Sequence, residues 1–179
     1  HSIDEALKQL EHAGNEKVDL VKLMITGGVL DAKEKGVPGE LKMKPEMVKA
    51  VCDRAHAAGY KVAAHVESPE GVKVALANGV DSIEHGAKPD DEMIRLFKEK
   101  NAFLCTTISP AVPYALFDRS LTNATEVEQY NGNIVFDGIV ECAKAALAND
   151  IPVVLGNDVG CPWITQYDFW RELCYFHKY

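Results

Sequence analysis

Apolar and polar positions along the 179-residue chain fall into two alternating patterns. Five short apolar runs read as strands: Val18–Thr26, Val62–Ala64, Val80–Ile83, Ala102–Thr107 and Ile151–Leu155. The first, VDLVKLMIT, is nearly continuous, the signature of a strand buried on both faces of a parallel sheet. Between the runs, apolar residues recur at helical spacing. Ile3–Ala13 places Ile3, Ala6, Leu7 and Leu10 on one face, with Ser2 as N-cap and Glu5 at the capping-box position. Pro45–Ala58 has proline in its first turn and Gly59 as its stop. Pro69–Asn78 is closed by Gly79, and Pro89–Lys100 carries Asp90, Asp91 and Glu92 near its positive end. Glu126–Ala148 is helical, weakened in its first part by Gly132 and Gly138. Trp163–Tyr179 is amphipathic, with Phe169, Leu173 and Phe176 on one face. Two stretches read as loops: Val29–Lys44, and Ile108–Thr125 with its two prolines, Tyr114 and Phe117.

The order is one helix and then five strands, each followed by a helix. Every connection is long enough for a right-handed crossover, so the fold class is α/β with a parallel sheet. The two histidines of KVAAHVESPEGVKVALANGVDSIEHG, His65 and His85, close successive strands at their carboxyl ends, where parallel α/β folds place chemistry.

Composition narrows the function classes. A net charge of −8 argues against a nucleic-acid partner, because phosphate binding needs a basic face. No apolar run approaches the roughly 18 residues of a membrane span. The five cysteines show no CxxC spacing, which fits reduced, mostly buried thiols of a cytoplasmic protein.

Four residues stand out at strand ends. Lys22 interrupts an apolar strand, where a buried ammonium would be costly; a neutral lysine amine can act as a nucleophile or take up carbon dioxide. His65 and His85 are two imidazoles at equivalent positions. Asp158, within GNDVG, reads equally as a helix N-cap or as a base and metal ligand. Residues two apart on a strand share a face, so all four can point inward at one end of a barrel. His56 reads as structural, and His12 and His177 as surface residues. A competing possibility is a non-catalytic α/β domain that binds a small anion at the Thr26-Gly27-Gly28 turn.

The stretches VKLMITGGV, VAAHVESPEGVKVALANGVDSIEHG and VVLGNDVG resemble the amidohydrolase superfamily of metal-dependent (β/α)8-barrel (TIM-barrel) hydrolases. Their order and spacing are most similar to the imidazolonepropionase-related branch that includes Xaa-Pro dipeptidases (prolidases) and Xaa-Arg carboxypeptidases. The resemblance implies strands 4–8 of the barrel in a single partial domain, 1–179. Strands 1–3, the flanking β-sandwich and the family's strand-1 HxH pair have no counterpart in the sequence. It implies two divalent metal ions, zinc in the first instance, bridged by an N6-carboxylated Lys22. His65 and His85 would be ligands of the second ion, and Asp158 a ligand that accepts a proton from the bridging water and passes it to the leaving amine.

The implied activity is hydrolysis of a small amide, most simply a dipeptide. Cyclic-amide hydrolysis of the imidazolonepropionase type, or an inactive fragment, are the alternatives. Tyr114 and Arg119, by position alone, are candidates to bind a substrate carboxylate. Five parallel strands cannot close an eight-stranded barrel, so the open sheet predicts association with another copy or with a complementary segment.

Overall fold

The computed structural model describes residues 2–179. Five parallel strands form one sheet in sequential order: β1 (Leu20–Met24), β2 (Lys61–Val66), β3 (Ser82–His85), β4 (Phe103–Thr106) and β5 (Val153–Leu155). Helices α1 (Ile3–Asn15), α2 (Pro45–Ala57), α3 (Pro69–Ala77), α4 (Asp91–Lys100) and α7 (Glu126–Ala148) alternate with them. Short helices α5 (Ile108–Leu116) and α6 (Arg119–Thr122) precede α7, and α8 (Phe169–Lys178) closes the chain. None of these helices is long and apolar enough to cross a membrane.

Local chemistry accounts for the helix starts. Ser2 and Glu5 form the capping box of α1, and Thr125 and Glu128 form another on α7. Asp90, rather than Pro89, caps α4, its carboxylate accepting the Met93 N–H at 2.8 Å. The strand after α3 begins two residues later than the apolar run implied, at Ser82.

The sheet buries one face. Leu23, Ile25, Val62, Ala64, Val66, Ile83 and Leu104 meet Val48, Val51, Val72, Leu76, Met93 and Phe97 from the helices in the main core. In the register, Lys22 lies opposite Ala63, Met24 opposite His65, His65 opposite Glu84 and Glu84 opposite Cys105. These residues make up the other face, which carries few covering contacts. Leu20 and Met24 are 50% and 59% exposed. The expectation of a first strand buried on both faces, with Lys22 inside it, is therefore corrected. β1 is an edge strand, and Lys22 is exposed on the uncovered face. A continuous apolar run does not distinguish a central strand from an edge strand whose inner face is open.

Two further expectations change. Ile108–Thr125 is not irregular, because α5 and α6 occupy it. Pro110 sits in the first turn of α5, where its missing N–H is harmless, and nearly all of α5 is buried, so packing overrides the breaker signal of Pro113. α7 runs unbroken through Gly132 and Gly138, which are points of close approach. A Cβ on Gly132 would come within 2.6 Å of Tyr114 Cβ on α5, and one on Gly138 within 3.0 Å of the Lys88 backbone nitrogen.

A smaller core joins α5 and α7 through Ile108, Val112, Val135, Phe136 and Ile139. α8 rests on it through Tyr175 and Phe176, joined by Tyr179 just after the helix. The anticipated face of Phe169, Leu173 and Phe176 does not dock as a unit, since Phe169 and Leu173 are exposed. The five cysteines are free. His56 is structural as expected, its Nε2 lying 2.7 Å from Asp81 Oδ2.

Candidate metal centre

The site is built on the turns that follow β1, β2 and β3. After β1 the chain is fastened to the end of β2: the Ile25 N–H donates to the His65 carbonyl (3.3 Å), and the Glu67 N–H to Thr26 Oγ1 (3.0 Å). Thr26 is fully buried. This brings Gly27 and Gly28 against the side chains of β2. His65 Nε2 lies 3.4 Å from the Gly27 carbonyl oxygen, and Glu67 Oε2 accepts the Val29 N–H at 3.1 Å. The carboxylate of Glu67 fits because Gly28 has no side chain; a Cβ there would sit 2.8 Å from Oε2.

His85 reaches the same place by a different route. In the register Val66 lies opposite His85, so strand parity puts His85 on the helix-covered face with Val66 and Ile83. The expected inward alternation of all four strand-end residues therefore fails for His85. Its backbone instead enters the left-handed region (φ 70°), followed by Gly86 at φ 90°, and the end of the strand turns. The His85 ring packs edge-to-face on His65, centroids 4.6 Å apart.

Ligand atoms of His65, Glu67 and His85 all lie within 4.8 Å of one another. His85 Nδ1 is 2.6 Å from Thr107 Oγ1, and its buried Nε2 has no hydrogen-bond partner. With the Nδ1 proton donated to Thr107, Nε2 carries an unshared pair, the arrangement of a metal-ligating imidazole oriented by an outer hydrogen bond. Two imidazoles and a carboxylate form a donor set suited to zinc and similar divalent ions. By both donor type and this orphaned nitrogen, the residues fit a cation.

Electrostatics agree with burial. Desolvation, with His65 alongside, pushes the His85 imidazole down to about 3. His65 is also lowered, by burial first and with Lys22 acting in the same direction. Burial pushes Glu67 up to about 8, against the pull of the Val29 N–H, and the carboxylates of Asp158 and Asp31 add to the rise.

The three residues line a cavity of about 470 Å³ beyond the carboxyl ends of the strands. Lys22, Thr107, Tyr114, Asp158 and Cys161 share it, with an apolar wall that includes Val29, Ala111 and Ile139. Lys22, His65, His85 and Asp158, singled out from sequence, are thus brought to one cavity. Asp158 caps no helix; it sits at φ 46° in a turn whose Cys161 N–H donates to its carbonyl (3.1 Å). The Cys161 thiol, pushed up to about 12 by burial and by Asp158, donates to Asp158 Oδ2 at 3.2 Å. Arg119 lies outside the cavity, exposed on α6. A larger cleft of about 590 Å³ along the β1 edge, between α1 and α2, has no histidine in its lining.

Glu67 was not singled out from sequence. The signal was available, because His65 and Glu67 are two residues apart and that spacing shares a face. The anion site at the Thr26-Gly27-Gly28 turn is overturned. The amides of Gly27, Gly28 and Val29 are already taken, by the Glu40 carbonyl, Asp31 Oδ1 (2.6 Å) and Glu67 Oε2, so none of the three is free to bind an anion.

No family model matches the chain. Over 63 residues it is 38% identical to an uncharacterized protein of Mycobacterium tuberculosis, a match that covers 35% of this chain and 17% of that protein. The crystal structure of a candidate prolidase from Bifidobacterium longum superposes on 99% of the chain, with TM-score 0.90 and 35% identity. The chain is similar to prolidase-type amidohydrolases over part of their length. It spans 44% of the Bifidobacterium protein, and 43% of a Xaa-Pro dipeptidase with methionine bound in its active site (TM-score 0.81, 24% identity). Aspergillus niger ochratoxinase shares the fold at TM-score 0.75 and 21% identity, with the chain spanning 35% of its length. The five parallel strands and their helices correspond to part of the amidohydrolase barrel, as the sequence resemblance implied.

Proposed function

We propose that this chain supplies His65, Glu67 and His85 to the metal site of an amidohydrolase that cleaves C–N bonds of small substrates, dipeptides of the Xaa-Pro kind first. The observation that carries the reading is the buried, unpartnered Nε2 of His85, converging with His65 and Glu67 in a cavity at the ends of parallel strands. The 35% identity to a candidate prolidase supports the dipeptide as substrate.

A divalent ion, zinc in the first instance, would lower the pKa of a water and polarise the scissile carbonyl. The chain's own groups do the rest. His65, Glu67 and His85 hold the site. Lys22, exposed toward the cavity, would react at Nζ with carbon dioxide, losing a proton to give a carbamate that would serve as a further anionic ligand for metal. Asp158 takes a proton at a carboxylate oxygen and returns it to the leaving nitrogen, acting as base and then as acid. Tyr114, on the cavity wall, orients the substrate. Arg119 has no part in this, because it lies away from the cavity.

The test is metal analysis and a dipeptide panel on the protein that carries this sequence. Bound zinc, lost together with turnover in His85→Ala, is expected. Full metal content in that variant overturns the assignment.

A further inference from the structure

The buried face of α8 holds an unusual residue. Glu172 is fully buried, and it is the one residue of α8 to be so. Its two oxygens accept one backbone N–H each from the start of α5: Ile108 N–H to Oε1 at 2.7 Å and Ser109 N–H to Oε2 at 2.6 Å. Burial pushes this carboxyl up, and the Ser109 and Ile108 hydrogen bonds pull it back. A carboxylate at a helix N-terminus meets both free amides and the positive end of the dipole, which offsets its desolvation.

The amides would ordinarily be served by the N-cap residue, whose side chain bonds the N–H of the second or third helical residue. Here the N-cap is Thr107, a good capping type, yet it makes no side-chain capping bond. The third helical residue is Pro110, without an N–H, so the Ser109 amide is the one target within Thr107's reach, and Glu172 occupies it. The Thr107 hydroxyl is left for His85 Nδ1, at 2.6 Å.

We propose that Glu172 is a positioning residue for His85: by capping α5 from a distant helix, it keeps the Thr107 hydroxyl off its own helix and on the His85 ring. The idea rests on the reading of His85 as a metal ligand for its importance, but not for its geometry. Without Glu172, the free Ser109 amide competes for the Thr107 oxygen, and the His85 tautomer is no longer fixed.

The experiment uses nitrogen-15 histidine spectra of the metal-free protein together with zinc titration. In the parent, His85 shows the Nδ1-protonated tautomer. Glu172→Gln, which turns an NH2 toward one of the two amides, is expected to give a tautomer mixture and zinc binding weaker by about tenfold, the usual scale for an outer-shell partner. Thr107→Val should give the same loss, and the double variant no more than the single, because both act through one hydroxyl. If the amide variant does not fold, Glu172→Asp, which withdraws the carboxylate by one methylene, is read the same way. An unchanged His85 signature in a folded Glu172 variant, or additive losses in the double variant, overturns the proposal. Absence of zinc binding in the parent would instead sink the metal reading, leaving the tautomer measurement to decide the role of Glu172.

Discussion

The rings of His65 and His85 meet edge-to-face with centroids 4.6 Å apart, although the two residues stand at opposite parities of adjacent strands. The contact exists because the chain leaves strand geometry at His85. Burial keeps both rings neutral, so their nitrogens are available as ligands at ordinary pH.

Acidity and alkalinity should both weaken the metal-free protein, through different groups. His85 titrates at about 3 when folded against an ordinary 6.5, so the unfolded chain binds more protons between those values and stability falls as pH drops through that window. Glu67 titrates at about 8 when folded against an ordinary 4.5, so the folded chain holds more protons there and stability falls as pH rises through that window. The two slopes oppose each other where the windows overlap. Denaturant melts across pH, with a chelator present, should show a plateau between about 4.5 and 6.5 and a decline on either side. For Glu67→Gln the decline on the alkaline side should shrink.

Gly28→Ala is expected to reduce metal binding without unfolding the protein. Its Cβ would meet Glu67 Oε2 at 2.8 Å, and the carboxylate end is free to swing away. Calorimetric zinc titration should show affinity down by about tenfold or more, approaching Glu67→Ala, with Tm little changed.

Gly132→Ala should behave in the opposite way. The new methyl meets the Cβ and backbone of Tyr114, which cannot yield without shifting α5 from α7. Overpacking of this kind costs about 1–3 kcal/mol, to be read from chemical denaturation.

Much of the scaffold was legible in the chain. The Ser2–Glu5 capping box, prolines at helix starts and apolar runs mark elements whose order alone dictates a parallel sheet. Lys22, His65, His85 and Asp158 do share one cavity. What was not legible depends on contacts distant in sequence. The helix at α5 forms because burial outweighs the interior Pro113. Lys22 is exposed because of what does not cover β1, which no local pattern records. Glu67 joins the histidines through a glycine 39 residues earlier.

Asp81 offers a control remote from the cavity. It accepts hydrogen bonds from Lys61 Nζ (2.6 Å) and the Val62 N–H (2.9 Å), with His56 Nε2 at 2.7 Å, at the start of β3. Asp81→Ala should destabilise the fold by about 1–3 kcal/mol, through the groups it leaves unpaired. Zinc stoichiometry measured on the folded variant should be unchanged; a loss there would mean that the two ends of the sheet are coupled.

The left-handed backbone at His85 sets protein engineering against itself. A side chain held at φ 70° costs of order 1 kcal/mol relative to glycine, which adopts that conformation freely. A search for stabilising substitutions guided by backbone preference alone would thus select glycine or asparagine at position 85. The more stable product would have lost the imidazole that the turn delivers to the cavity, so thermostability is a misleading score for variants at this residue.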